Sequence, residues 1–241
     1  ALANALSSSL IPALTMAVAS HDRQKTLSQI RVSIRFTLLI AVPCSIGMAV
    51  LADPLSRMLF PGKNVHLLIQ LTRVGSFAVL LYSLSTITNA ILQGLGHLNL
   101  PLYHSMVALV LHLLSLVLFL YAGLGIYGVV LSNIVFALIM CFLNQRAIFR
   151  HTRFRIDLFR SLVMPMLSGL IMGGAAYVIY FVIYILLPEG LRKGRVGSAM
   201  SLLPAVFIAI LIYFFLLLKS HTLTREDLDE MPMGGRLKRF L

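Results

Sequence analysis

Leu100–Leu120 reads LPLYHSMVALVLHLLSLVLFL, 21 residues without an acid, a lysine or an arginine. A helix rises about 1.5 Å per residue, so this stretch covers the roughly 30 Å of hydrocarbon in a bilayer. Ile126–Leu143, Leu162–Leu187 and Met200–Leu218 follow it, and Leu38–Leu51 and Leu68–Leu92 precede it. Six apolar runs separated by short polar joints describe an all-α polytopic membrane protein.

Composition supports that class. The chain is 59% hydrophobic and 12% charged, with mean hydropathy +0.93. A soluble domain cannot hide that much apolar surface. A helix satisfies its own backbone polar groups inside hydrocarbon. A transmembrane barrel is excluded, because its strands are alternating segments of about ten residues. The formal net charge of +12 does not point to nucleic acid, because the basic residues sit in the joints. Cys44 and Cys141 lie inside apolar runs, with neither disulfide nor metal-ligand spacing, and read as packing residues. No metal site and no cofactor are expected.

The chain divides into three parts. Residues 1–19 read as the end of a transmembrane helix, rich in small residues and broken near Pro12. Residues 20–219 read as a six-helix transmembrane bundle, and 220–241 as a polar tail. The chain opens on Ala1, in what reads as mid-helix, with no charged leader or cleavage site, so a piece of a longer protein is expected. Within the bundle, Ser20–Arg35 and Arg146–Arg160 are basic joints. Asp53–Val65 carries Pro54, Pro61 and Gly62 and is expected to be a turn-rich loop, while Gln93–Pro101 and Ala122–Gly125 are tight joints.

Counting Lys and Arg by alternate joints gives 14 on one side and 6 on the other, which accounts for all 20. The richer side holds Arg23, Lys25, Arg31, Arg35, the five arginines of Arg146–Arg160 and the five basic residues from Lys219 onward. The positive-inside rule places that side, and the C-terminus, in the cytoplasm of a multi-pass plasma-membrane protein. The count agrees with seven crossings, including the incomplete first one.

Polar residues inside spans are the candidates for function. Thr72, Ser76, Ser83, Thr86 and Gln93 follow one another at spacings of four, seven, three and seven, near whole helical turns, with Asn89 at the edge of their face. Two readings stand: the wall of a water-filled cavity, or a packing face where small hydroxyl residues bond to a neighbouring helix. His104 and His112 are eight residues apart, not a metal-ligand spacing, and read as hydrogen-bonded or interfacial. Gly169 and Gly173 form a GxxxG spacing, the mark of a close helix crossing. Arg35 and Arg73 near the ends of apolar runs either snorkel to head groups or meet an anionic substrate. Between Asp53 and Asp157 there is no Asp or Glu. The carboxylate that a cation-coupled site would use, and the constellation that a membrane enzyme would need, are missing from that stretch. No phosphate loop is present. The chain reads as a non-enzyme.

Several segments resemble the MurJ/SpoVB-like polysaccharide exporters. They are Ser8–Leu14 (SSLIPAL), Ile34–Pro43 (IRFTLLIAVP), Leu92–Gly96 (LQGLG) with Pro101, Gly125–Gly128 (GIYG), Leu143–Asn144 with Arg150, and Leu223–Leu228 (LTREDL) with Met231–Pro232 and Gly235. Their order and spacing run the length of the chain. The resemblance implies the multidrug/oligosaccharidyl-lipid/polysaccharide (MOP) flippase superfamily, with its two lobes of a MATE-like helical bundle around a cavity. The chain resembles the end of the eighth helix and helices nine to fourteen, most of the C-terminal lobe. Expected partners are a lipid-linked oligosaccharide such as lipid II, membrane lipids and the missing N-terminal lobe, but no nucleic acid. The implied role is translocation of undecaprenyl-pyrophosphate-linked saccharides for cell-wall or polysaccharide synthesis. Alternatives are a cation-coupled multidrug exporter of the same superfamily and a non-transporting scaffold for envelope or spore-coat synthesis. An acid-free cleft of Ser, Thr, Asn, Gln and a few Arg suits an anionic head. Arg35, Thr72, Ser76, Ser83, Thr86, Asn89 and Gln93 are therefore the candidate substrate-binding residues.

Overall fold

The structure is a computed structural model that describes residues 2–60, 65–154, 159–188 and 195–219. The helices are α1 (Leu2–Ala19), α2 (Arg23–Val50), α3 (Ala52–Leu59), α4 (Val65–Gly94), α5 (Asn99–Tyr121), α6 (Ile126–Thr152), α7 (Met164–Leu186) and α8 (Arg195–Lys219), with a π-helical turn at Phe159–Val163 leading into α7. No strand occurs among the described residues. Six of the helices are long and apolar enough to cross a membrane, and the shorter apolar α1 accompanies them. The polar tail 220–241 lies outside the described residues.

Three boundaries differ from the sequence reading. First, α2 begins at Arg23, inside the expected basic joint, because Asp22 caps it. The Asp22 Oδ1 accepts from the Lys25 backbone N–H at 3.0 Å, which satisfies one of the orphan donors of a helix start. Second, the expected loop after Asp53 is helical as far as Leu59. Pro54 falls in the first turn of α3, where a missing N–H is no loss, and Arg57 pairs with Asp53 one turn back at 3.0 Å. Pro61 and Gly62 lie outside the described residues. Third, α1 runs through Pro12 without a break.

α4 is the axis of the bundle. α1, α2, α3 and α6 all pack on it, α5 leans on α6, and α7 and α8 pair with each other and join the rest through α2 and α3. α2 serves two cores. Its Ile30, Ile34, Leu38 and Val42 meet Leu10, Leu14, Ile87, Ile91 and Ile148. Its Leu39 meets Met172, Ala176, Leu202, Ala205 and Tyr213 of the α7–α8 pair. Outward-facing leucines such as Leu102, Leu109, Leu113 and Leu118 leave most of α5 apolar and exposed, the surface a lipid solvent tolerates.

Two close approaches set the helix spacing. A Cβ on Gly169 would stand 2.7 Å from Ile46 Cδ1, and one on Gly173 would stand 2.9 Å from Ile46 Cγ2. The GxxxG face of α7 therefore lies directly on α2. Gly94 is pressed against Leu14 in the same manner, at 2.9 Å, and holds α1 on α4.

Pro43 inside α2 has no N–H for the Leu39 carbonyl one turn earlier. The Tyr213 hydroxyl of α8 donates to that carbonyl at 2.8 Å. A carbonyl stranded at membrane depth is thus satisfied by a neighbouring helix. Tyr213→Phe removes the donor and leaves the oxygen buried. The expected loss is about 1–2 kcal/mol, read as lower thermal stability of the detergent-solubilised protein. An unchanged melting temperature would mean that the carbonyl is satisfied otherwise.

The bundle has one strongly basic end. His97 in the α4–α5 joint lies against His151 near the end of α6, with centroids 3.9 Å apart and the rings tilted by 36°. The start of α2 and the end of α1 meet the end of α6 there as well. Arg23, Lys25, Arg31, Arg146, Arg150, Arg153 and Lys219 lie on turns toward this end of their helices, and Arg57 and Arg73 lie toward the other.

Candidate functional site

α4 carries the polar stripe, and its neighbours divide the stripe among them. Ser76 is 1% exposed and faces α2: the Ser45 hydroxyl donates to the Ser76 carbonyl at 2.7 Å, and the Ser76 hydroxyl donates to the Arg73 carbonyl. Ser83 and Thr86 are half-buried and donate back to the Val79 and Tyr82 carbonyls of their own helix. Thr72 and Gln93 are half-buried as well. Asn89, at the edge of that face, turns to a different neighbour, α6. The candidates Thr72, Ser76, Ser83, Thr86 and Gln93 share a side of α4, but they do not converge on one point.

Convergence occurs at Asn144. This α6 side chain is 0% exposed, and its amide Nδ2 donates to Asn89 Oδ1 at 2.7 Å and to Thr88 Oγ1 at 3.0 Å. Its Oδ1 lies 2.8 Å from His104 Nδ1 on α5. Both amide protons are spent on α4, so the oxygen must accept, and the assigned network places a proton on His104 Nδ1. Thr88 in turn donates to the Leu84 and Ser85 carbonyls. A chain of directed bonds thus ties α4, α5 and α6 at one level. It contains no carboxylate, so hydrogen bonds and not an ion pair hold the three helices there.

Arg35 is carried by α2. It is 6% exposed and sits one turn before Leu39, the residue at which α8 closes on α2. The guanidinium is therefore held within the protein body rather than on the outer surface.

The sequence reading named Asn89 but not its partners Asn144, His104 and Thr88 as a site. An uncharged amide and an imidazole inside apolar runs were the available signal. Among the described residues no group of three or more His, Cys, Asp or Glu is placed to hold a metal.

The family model for the lipid II flippase MurJ matches residues 2–192. The chain belongs to the MurJ lipid II flippase family. Two curated relatives agree with it. A Bacillus subtilis (strain 168) protein described as uncharacterized membrane protein YabM is 24% identical over 239 residues, covering 98% of this chain and 43% of the relative. A probable lipid II flippase MurJ of Bdellovibrio bacteriovorus is 25% identical over 214 residues, covering 87% of this chain and 40% of the relative. The chain therefore spans less than half the length of these relatives. Transport and cell-wall synthesis are the business of the family, and multi-pass insertion in a membrane is its setting.

Proposed function

We propose that this chain is the C-terminal lobe of a flippase that carries undecaprenyl-pyrophosphate-linked saccharides, lipid II among them, across the bacterial plasma membrane. Membership of the lipid II flippase family carries the reading. The lobe would rock against an N-terminal lobe of the same protein, giving alternating access to a hydrated cleft while the prenyl chain stays in lipid. The half-buried Thr72, Ser83, Thr86 and Gln93 would form its wall in this lobe, with Ser76, Asn89 and the buried Arg35 of α2 behind them. An acid-free wall suits a pyrophosphate, since no carboxylate repels it. The basic end would face the cytoplasm by the positive-inside rule, and no catalytic step is involved.

The test is complementation. A full-length protein containing this chain is expected to restore growth to a strain depleted of its lipid II flippase. Arg35→Ala in that protein is expected to slow head-group translocation about ten-fold, the size of a lost charge-assisted contact, with membrane abundance within two-fold of wild type. Failure to complement at normal abundance would defeat the reading, and undiminished translocation by Arg35→Ala would remove Arg35 from the site.

A further inference from the structure

At the basic end, the last turn of α1, the first turns of α2, the α4–α5 joint and the last turn of α6 enclose a cleft of about 240 Å³. Its apolar lining is Val18, Leu27 and Leu95. Its polar lining is His21, Arg23, Thr26, His151 and Thr152. The two hydroxyls are engaged, since Thr26 donates to the Asp22 carbonyl, and Thr152 donates to the Ile148 carbonyl while accepting from the Phe154 N–H. The carboxylate beside the cleft, Asp22, is turned onto the start of α2 as its cap. What remains for a ligand is a guanidinium and two imidazoles beside an aliphatic lining. His97, tilted against His151, backs that imidazole with a third. His21 takes φ +53°, a left-handed conformation that non-glycine residues adopt sparingly.

We propose that this cleft binds the phosphate ester of a lipid, with the oxygens on Arg23, His21 and His151 and the first carbons of the lipid on Val18, Leu27 and Leu95. Arginine is the side chain best shaped for phosphate oxygens. The volume falls below the roughly 300–1,000 Å³ of ordinary small-molecule pockets, so it suits a headgroup phosphate and not a bulky saccharide. Two sources share this chemistry, an anionic bilayer phospholipid and a prenyl pyrophosphate. The site does not depend on the flippase reading, because a bilayer phospholipid would occupy it in any member of the bundle.

The experiment is native mass spectrometry of the full-length protein, released from detergent with cardiolipin, phosphatidylglycerol, phosphatidylcholine or undecaprenyl pyrophosphate. The variant combines His21→Asn, which keeps a residue tolerant of the left-handed backbone, with Arg23→Gln and His151→Gln. The comparison variant combines Lys25→Gln, Arg146→Gln and Lys219→Gln, equally basic positions of the same end outside the cleft lining. The cleft variant is expected to lose about ten-fold in retained anionic lipid relative to phosphatidylcholine, and the comparison variant less than two-fold. Loss confined to cardiolipin and phosphatidylglycerol identifies a bilayer lipid, and loss confined to undecaprenyl pyrophosphate identifies a prenyl ligand. Either supports the site. Equal loss in both variants, or retention within two-fold in the cleft variant, overturns it. Should the triple variant not fold, Arg23→Gln alone is expected to lose about three-fold, and no loss there overturns the site equally.

Discussion

Gly169→Leu combined with Gly173→Leu is expected to prevent α7 from docking on α2 and to abolish a stable fold. The first atom of either new side chain would stand closer to Ile46 than side chains approach, at 2.7 and 2.9 Å, and Gly173 is hemmed by Val50 Cγ2 at 3.2 Å as well. A single methyl contact on a flexible isoleucine tip could be relieved by rotation. Two leucines on adjacent turns of one face leave Ile46 nowhere to go, and the helices must separate. Overpacking costs about 1–3 kcal/mol per site, so the pair is expected to lose on the order of 4 kcal/mol. Because α2 also supplies Leu39 to the α7–α8 core, the separation would undo that core too. Gly174 provides the control. A Cβ there meets nothing within 4 Å, so Gly174→Leu should leave the protein as stable as wild type. Size-exclusion profiles and thermal unfolding in detergent distinguish the cases. If the double variant melts with the Gly174 variant, the close crossing does not hold α7 in place.

The second large effect is expected at Asn144. Replacing it by leucine keeps the branched shape but removes both donors and the acceptor at the junction of α4, α5 and α6. His104 Nδ1 would then be buried without its partner, and the half-buried Asn89 Oδ1 would lose its donor. Interhelical hydrogen bonds in membrane proteins are worth roughly 0.6 kcal/mol on average and up to about 1.7. Stranding a buried polar group adds its desolvation penalty. Asn144→Leu is therefore expected to destabilise by about 2 kcal/mol. Adding His104→Leu should return part of that loss, because removing both partners of a bond is gentler than removing one. A double-mutant cycle in which the two losses simply add would show that the side chains are not coupled. A loss at Asn144 below about 0.5 kcal/mol would mean that apolar packing alone holds the three helices.

Much of the architecture was legible in the chain. Lipid-spanning helices must carry about twenty apolar residues apiece, a requirement that depends on no other part of the molecule. Run length and composition therefore located all six, and the spacing of Gly169 and Gly173 announced a close crossing. Errors came at the ends. Asp22 starts α2 inside a joint that looked polar and open, and Pro54 was read as a loop marker although a first-turn proline is compatible with a helix. Charge and proline mark irregular backbone only where they fall outside the first turn of a helix, and Asp22 and Pro54 both fall at a helix start.

The candidate site was less legible. Periodicity puts Thr72, Ser76, Ser83, Thr86 and Gln93 on one side of α4, a single helix. But α4 is 30 residues long, roughly 45 Å, and its neighbours change along that length. Ser76 is closed by α2, while Asn89, at the edge of the stripe, turns to α6. Asn144, His104 and Thr88 were dispersed among apolar residues 40 and 56 positions apart, and no local pattern links them.

By itself, then, the sequence determined what each segment is: a helix that lipid can surround, its length, its charged ends and its narrow glycine face. Those properties follow from the transfer energetics of single segments. Only the tertiary structure decided which helix Gly169 and Gly173 meet, that Tyr213 answers the carbonyl Pro43 leaves open, and that Asn144 gathers three helices. Such pairings are set by steric fit and by which polar groups must be satisfied once the helices come together, and neither is encoded in any one segment alone.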